Sequence, residues 1–211
     1  MAQTLHRIAT AGLLLALLAA LAGCAAPIRE PEPSGFLRDY GSLERIADNH
    51  LRSLNPALAD YRRFIVERPI VLYQPGENDD EFTAEELESL KDYTVEQFSA
   101  RLVDEPGFEV VEEAGPETAR VRFVVTDLDA TDGVLNVSLL TKATGAGLGG
   151  VAIEMEVSDS QTGAELLAVV RWGSGSRVLR AGFTRLGDAK IQIGRWALDF
   201  RDLLTSLPQE S

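Results

Sequence analysis

The segment Val151–Ser158 constrains the fold most strongly, because apolar and polar residues alternate along it. Successive side chains of a β-strand point to opposite faces of the sheet, so this alternation predicts a half-buried strand. The segment Ala119–Asp127 has the same period, which predicts a second strand of this kind. A sheet with one apolar face and one polar face follows. Four charged residues share the polar sides of these strands: Arg120, Arg122, Glu154 and Glu156.

Two other segments have helical patterns. Thr83 is followed three residues later by Glu86, which is the pattern of a capping box, and apolar residues at helical spacing continue until Pro106. We therefore predict a helix over about residues 84–104. A second helix is predicted to have Asp188 as its N-cap and to end before Pro208. Its apolar stripe consists of Ile193, Trp196, Phe200, Leu203 and Leu207.

The remaining segments complete the predicted domain. Asp159–Gly163 has the composition of a turn, which would join Val151–Ser158 to a strand over Glu165–Trp172 as a hairpin. A short helix is predicted from Ser42. The order of elements predicts an α+β domain, in which an antiparallel or mixed sheet of about 5–6 strands carries two long helices on one face. Four shorter β-rich runs are Tyr61–Glu67, Pro69–Tyr73, Phe108–Glu112 and Val134–Lys142.

The N-terminus has the composition of a secretory signal. An arginine precedes the uncharged run Ala11–Ala22, which is shorter than the roughly 20 residues that a membrane-spanning helix needs. The stretch Leu21-Ala22-Gly23-Cys24 resembles the bacterial lipobox. The resemblance implies that signal peptidase recognises Leu21, Ala22 and Gly23, cleaves before Cys24 and leaves that cysteine acylated. An ordinary signal peptide with an incidental cysteine is the alternative.

Lipidation of Cys24 would leave no thiol, because the sequence has one cysteine. A disulfide framework, a cysteine metal site and a thiol nucleophile are then excluded, and packing must hold the core. We predict a cleaved signal over residues 1–23, a lipidated, Pro-rich tether over 24–34 and a single periplasmic domain over 35–211. Ala25, and not aspartate, follows the cysteine, which by analogy with enterobacterial sorting favours the periplasmic face of the outer membrane.

The formal net charge of −13 restricts the classes of partner. An acidic surface repels phosphate backbones and anionic lipid headgroups, so we expect no nucleic-acid partner. Attachment to the membrane must then come from the acyl chains on Cys24, since two or more chains anchor a protein stably.

The sequence contains no pattern that identifies a reaction. Gly145–Gly150 has the spacing of a dinucleotide-binding loop, but it runs into a strand and not into a helix, so we interpret it as a flexible loop. Asp127–Gly133 is similar to a calcium loop, but glycine is absent where that loop requires it. His50 is the one histidine that would survive cleavage, and no nucleophile motif accompanies it. We expect no enzyme activity, no catalytic residue, no metal site and no cofactor.

Five stretches, spread over nearly all of the predicted mature chain, form a recognisable set: Ser34–Tyr40 with Leu43, Gly149–Glu154, Asp159–Gly163, Gly187–Ala189 and Trp196–Ala197. This set resembles an uncharacterised bacterial lipoprotein family, the domain of unknown function 3313. The resemblance implies a proteobacterial envelope lipoprotein and supplies no catalytic residue. More distantly, the order of elements is similar to periplasmic domains of the curli-secretion lipoprotein and of the lipoprotein activator of penicillin-binding proteins.

Two classes of function fit the sequence. The first is a protein-interaction or envelope-assembly module that binds an unknown envelope protein, with homo-oligomerisation through Val134–Leu140 as a variant. Its candidate interaction face consists of Arg120, Arg122, Glu154 and Glu156, for which a merely solvated sheet surface is the alternative. The second class is a carrier of small apolar ligands, or an enzyme, with a pocket between helices and sheet. Interlocked packing of one set of side chains would count against that pocket: Phe98, Phe123, Met155, Trp196 and Phe200.

Overall fold

The alternating segments form the central strands of a mixed sheet. The structure, a computed structural model, describes residues 30–73, 82–128, 150–174 and 185–208. The strands are β1 Glu44–Ala47, β2 His50–Leu54, β3 Arg63–Val66, β4 Ile70–Val71, β5 Glu109–Val110, β6 Thr118–Thr126, β7 Gly150–Asp159 and β8 Glu165–Ser174. The helices are α1 Ala84–Val103, α2 Gly187–Ser206 and a short 3-10 helix over Pro56–Asp60.

The strand order is β1-β2-β8-β7-β6-β3-β5, and β4 also pairs with β6. Strand β3 runs parallel to β5 and β6, β4 runs parallel to β6, and the other pairs are antiparallel. The predicted α+β class and mixed sheet are therefore confirmed. The predicted strand number is too low, because the described residues alone form a sheet of 8 strands.

The N-terminal part of the sheet differs most from the prediction. The helix predicted from Ser42 is wrong, since β1 and β2 form an antiparallel hairpin there. All of β2 pairs with β8, from His50 opposite Arg171 to Leu54 opposite Leu167. This long pairing satisfies the backbone of β2 and decides its conformation, whereas local sequence preferences are weak in strands.

The hairpin of β7 and β8 turns where the sequence predicts. The Asp159 carboxylate accepts hydrogen bonds from the hydroxyl and the amide of Thr162, at 2.7 and 2.6 Å, and from the amide of Gln161 at 3.1 Å. These Thr162 bonds, followed by one from the Tyr61 hydroxyl, lower the pKa of Asp159 to about 2. Gly163 takes a φ of 72°, a left-handed conformation that glycine adopts without strain.

The first helix begins as predicted and the second does not. In α1, the Glu86 amide donates to the Thr83 hydroxyl at 3.1 Å and the Thr83 amide donates to the Glu86 carboxylate at 2.9 Å, so the capping box is confirmed. In α2, Asp188 is not the N-cap: the helix starts one residue before it, and Leu186 holds the cap position without a side-chain bond. Asp188 lies buried in the first turn, where the helix dipole favours a carboxylate.

Apolar clusters lie on both faces of the sheet. The larger cluster combines both helices with one face, and in it the ring centroids of Phe98 and Phe123 are 4.6 Å apart and those of Phe98 and Phe200 are 5.8 Å apart. Trp196 belongs to this cluster, whereas Trp172 belongs to the smaller one on the opposite face. Both tryptophans are buried.

Some predictions concern residues that the structure does not describe. Leu21, Ala22, Gly23, Cys24, Val134–Lys142 and the glycine-rich loop before Gly150 lie outside the described residues. Within the described ranges, neither long helix is apolar enough to cross a bilayer.

Candidate functional site

The pairing of β6 with β7 brings the predicted charged residues together. Arg122 stands directly opposite Glu156 in the register, and its guanidinium donates to the Glu156 carboxylate. This is the cross-strand ion pair that the alternation predicts. Arg120 pairs instead with Glu67, just after β3. Glu154 stands opposite Val124 and forms no ion pair with either arginine.

Both glutamates of this face are buried, with exposed fractions of 1% for Glu154 and 0% for Glu156. The cover is the segment Ser34–Tyr40, which we call the strap. Its residue Ser34 donates to the Glu154 carboxylate through its amide at 2.9 Å and its hydroxyl at 2.6 Å, and the Tyr40 hydroxyl donates at 2.5 Å. Glu154 is therefore a buried carboxylate bound by neutral donors of the strap.

The strap also contacts the second glutamate. Arg38 brings its Nε to 3.2 Å from Oε1 of Glu156, and its Nη1 donates to the carbonyl of Gly163 at 2.9 Å. Oε1 of Glu156 is buried and accepts no well-aligned hydrogen bond, so its contact with Arg38 is mainly electrostatic. Arg122 and Arg38 thus flank one buried carboxylate, and removing either cation would leave a costly buried charge less compensated.

Apolar contacts complete the binding of the strap. Leu37 is buried in the smaller cluster with Trp172, Ala168 and Val170. The ring of Phe36 lies 5.2 Å from the guanidinium carbon of Arg122, a cation–π distance. The strap is therefore a packed layer of the domain, and this sheet face is not the solvated surface that the alternation alone suggests.

Only part of the candidate interaction face reaches solvent. The exposed fractions of the side chains are 57% for Arg38, 33% for Arg120 and 37% for Arg122, while the carboxylates lie beneath them. A partner approaching this face therefore meets hydrogen-bond donors. Sequence reasoning missed Ser34, Arg38 and Tyr40 as members of the site. The sequence indicated these residues only as part of Ser34–Tyr40, one of the stretches that carry the family resemblance.

A small cleft lies on the helix side, at the end of the sheet formed by β2 and β8. Its volume is about 40 Å³. One imidazole, two guanidinium groups and one carboxylate line its rim: His50, Arg52, Arg171 and Asp199. Its floor is apolar and consists of Phe98, Ile153, Met155, Leu167, Val169, Trp196, Phe200 and Leu203.

The rim of the cleft combines an ion pair with a neutral histidine. Arg171 stands opposite His50 in the register and pairs with Asp199 of α2. Burial first, and then the charges of Arg171 and Arg52, lower the pKa of His50 to about 4. His50 is therefore neutral near pH 7, and no serine, threonine or cysteine of the described part of the chain lines this cleft beside it. In the described ranges, no three histidine, cysteine, aspartate or glutamate side chains are grouped as a metal ion requires.

A family model described as "Protein of unknown function (DUF3313)" matches residues 32–200. The chain belongs to the DUF3313 family. The matched region of this DUF3313 chain starts before the strap and extends into α2, so the strap, the sheet and all of the cleft except Leu203 lie within the family domain. The family predicted from the five sequence stretches is thereby confirmed. None of the curated proteins matches the chain.

Several solved structures are similar to this DUF3313 chain at low identity. The PelC dodecamer from Paraburkholderia phytofirmans is 15% identical with a TM-score of 0.43, covering 76% of this chain and 98% of that one. A hypothetical protein from Chlamydia trachomatis is 11% identical with a TM-score of 0.44, covering 70% and 99%. A Xanthomonas campestris protein of family DUF330 is 12% identical with a TM-score of 0.39, covering 71% and 87%. Similarities this low carry no argument about function.

Proposed function

We propose that this chain is a lipoprotein anchored at the periplasmic face of the outer membrane, and that its domain is a non-enzymatic protein-interaction or envelope-assembly module. The observation that carries the proposal is the docking of the strap. The strap directly follows the tether to Cys24, and it is bound to the sheet face that displays Arg38, Arg120 and Arg122. The segment that leads back along the chain toward Cys24 is therefore the one that covers the candidate interaction face.

Docking of the strap limits how far the domain can move from the membrane. The part of the tether from Cys24 to Ser34, which is bound to Glu154, spans ten residue steps, and within it Glu30 pairs with Arg45 of β1. A fully extended chain spans about 3.3–3.6 Å per residue, so this part reaches at most roughly 35 Å. A partner must then offer its binding surface at a distance from the lipid headgroups no greater than the length of the tether plus the diameter of the domain.

The exposed arginines define the chemistry of the partner. A guanidinium group offers a planar set of donors that binds carboxylates in a bidentate manner, and arginine is enriched at protein interfaces. On this face Arg38 and Arg122 pair with the buried carboxylate of Glu156, and Arg120 pairs with Glu67. The partner surface is therefore expected to present carboxylates or carbonyl oxygens.

The carrier alternative receives less support from the helix side of the sheet. Phe98, Phe123 and Phe200 are in ring contact there, and the cleft has a volume of about 40 Å³. Pockets for whole small molecules usually measure about 300–1,000 Å³. The packed core thus favours a binding surface over an internal carrier site.

Crosslinking in intact envelopes tests the interaction face. The full-length lipoprotein is compared with a double variant, Arg120→Gln with Arg122→Lys, which keeps a cation beside Glu156 but loses both guanidinium groups. We expect the wild type to enrich a reproducible protein and the double variant to lose that enrichment. The control is Arg195→Gln, which removes an exposed arginine from α2. Equal enrichment by wild type and double variant, or no enrichment at all, would overturn the proposal.

Metabolic acyl labelling tests the anchor separately. We expect label on the wild-type chain and none on Cys24→Ala. A wild-type chain without label would refute the lipoprotein part of the proposal, whatever the crosslinking shows.

A further inference from the structure

The cleft on the helix side has one positive charge that the described residues do not balance. Arg171 is paired with Asp199, and His50 is neutral near pH 7. Arg52 forms no ion pair within the described ranges; Glu44 is its neighbour across β1 and β2, but no ion pair joins them. In a chain with a net charge of −13, this leaves a local positive rim above an apolar floor.

The rim also holds a donor without an acceptor. Nε of Arg171 is buried and has no hydrogen-bond partner among the described residues, although another nitrogen of the same guanidinium is bound to Asp199. Buried polar groups are nearly always hydrogen-bonded in native proteins, so such an N–H at a cleft calls for an acceptor. Together with the charge of Arg52, which no described residue balances in an ion pair, it favours a small anion with oxygen acceptors.

The dimensions of the cleft restrict the rest of the ligand. Its volume of about 40 Å³ is a few times the roughly 10–15 Å³ that a single water molecule needs in a cavity, so it admits the end of a ligand and not a large molecule. A whole lipid or nucleotide therefore does not fit. The floor of Met155, Trp196 and Leu203 with five other apolar side chains suits a few methylene or methyl groups.

We propose that this cleft binds a carboxylate at the end of a short apolar chain. Arg52 and Arg171 hold the carboxylate at the rim, and the adjoining carbon atoms contact Met155, Trp196 and Leu203. A short fatty acid and the C-terminal residue of a peptide with an apolar side chain share this chemistry. The site lies on the opposite side of the sheet from the candidate interaction face, so it is independent of the proposed function.

Tryptophan fluorescence of the full lipoprotein in nanodiscs of neutral phosphatidylcholine tests the site. Trp196 lines the cleft, whereas Trp172 is buried on the other face and gives a constant background. Hexanoate, hexan-1-ol and hexylamine serve as probes of equal chain length. We expect a saturable change with hexanoate, binding of the alcohol weaker by about tenfold or more, and no binding of the amine, because charge-assisted hydrogen bonds need the carboxylate.

Variants connect the signal to the rim. Arg52→Gln is expected to weaken hexanoate binding by about tenfold or more, since it removes the unbalanced charge. Leu203→Phe, at a partly buried position of the floor, is expected to weaken hexanoate and hexan-1-ol alike. The control is Arg68→Gln, whose guanidinium pairs with Glu88 and Asp92 and does not line the cleft.

The two sources of the ligand are separated with acetyl-Ala-Leu, as the free acid and as the amide. Binding of the acid but not of the amide supports a peptide C-terminus, and binding of hexanoate without either dipeptide supports an acyl source. The proposal is overturned if neither carboxylate binds, if hexan-1-ol binds as tightly as hexanoate, or if Arg52→Gln binds hexanoate unchanged. Each of these results leaves the crosslinking test of the interaction face unaffected.

Discussion

On the helix side of the sheet, aromatic rings from α1, α2 and β6 are in contact, whereas on the other side the strap is held mainly by two buried carboxylates. The helix side is closed by a large buried apolar area, which yields a non-directional stabilisation. The strap side has a small apolar cluster and depends on directed hydrogen bonds. We therefore expect the helix layer to be needed for folding, and the strap to detach from the sheet without unfolding the domain.

The largest expected effect comes from the helix side. Phe123→Ala removes a buried ring that contacts Phe98, and we expect it to lower the free energy of unfolding by about 3–5 kcal/mol. Urea denaturation followed by far-UV circular dichroism measures this loss. Leu37→Ala, at a buried position of the strap side, is the matched comparison and should cost less. Equal losses for both variants would contradict the distinction between the two layers.

Glu154→Gln is expected to loosen the strap with little effect on the helix side. The amide offers one acceptor oxygen where the carboxylate accepts from Ser34 twice and from Tyr40 once. We expect strap binding to weaken by about 1.5–3 kcal/mol, the range for hydrogen bonds to charged groups. Trypsin cleavage after Arg38 and hydrogen exchange of the Leu37 amide should therefore accelerate, while the urea midpoint moves little.

The control for that variant is Glu44→Gln, an exposed glutamate of β1 that forms no ion pair in the described ranges. It should leave cleavage after Arg38 unchanged. If Glu154→Gln instead shifts the urea midpoint as far as Phe123→Ala does, the strap belongs to the same cooperative unit as the helices.

Much of the helix side can be predicted from sequence, because it depends on patterns within single elements. The capping box of Thr83 and Glu86, the period of β6 and β7 and the stripe of α2 all follow from spacing. Asp188 is the exception: a residue type favoured at N-caps lies inside the helix, since the chain enters α2 one residue earlier.

The strap side is less predictable, because its contacts join residues far apart in sequence. The bonds from Ser34 and Tyr40 to Glu154 span more than a hundred residues. Alternation shows that Glu154 and Glu156 point away from the helices, but it does not show what covers them. The alternation therefore predicts an exposed polar face. This prediction is wrong for Glu154 and Glu156, because the strap covers them.

Tyr40→Phe is expected to have a smaller effect on the strap than Glu154→Gln. It removes the hydroxyl that donates to Glu154 at 2.5 Å and that accepts from the amides of Gly35 at 3.0 Å and Leu37 at 3.3 Å, while Ser34 keeps both of its bonds. We expect strap binding to weaken by about 1.5 kcal/mol, the lower end of the range for a hydrogen bond to a charged group. Trypsin cleavage after Arg38 measures this change, because the Gly35 and Leu37 amides lose their own acceptor and would exchange faster in any case. Cleavage faster than in Glu154→Gln would show that the hydroxyl, and not the buried charge, holds the strap.

The smallest expected effect is on the pH dependence of stability, and it comes from His50 at the rim of the cleft on the helix side. Burial and the charges of Arg171 and Arg52 lower the pKa of His50 from 6.5 to about 4. Between these pH values the unfolded chain binds a proton at His50 that the folded chain does not. The contribution of neutral His50 to the free energy of unfolding is therefore fully present above about pH 6.5 and decreases as the pH falls toward 4.

Thermal unfolding of wild type and His50→Gln between pH 7.5 and 5 measures this contribution, since most carboxylates titrate lower. The melting temperature of the wild type should fall more steeply over this range than that of the variant. Parallel curves would show that His50 accepts a proton freely, and that the cleft rim is less positive than its arginines imply.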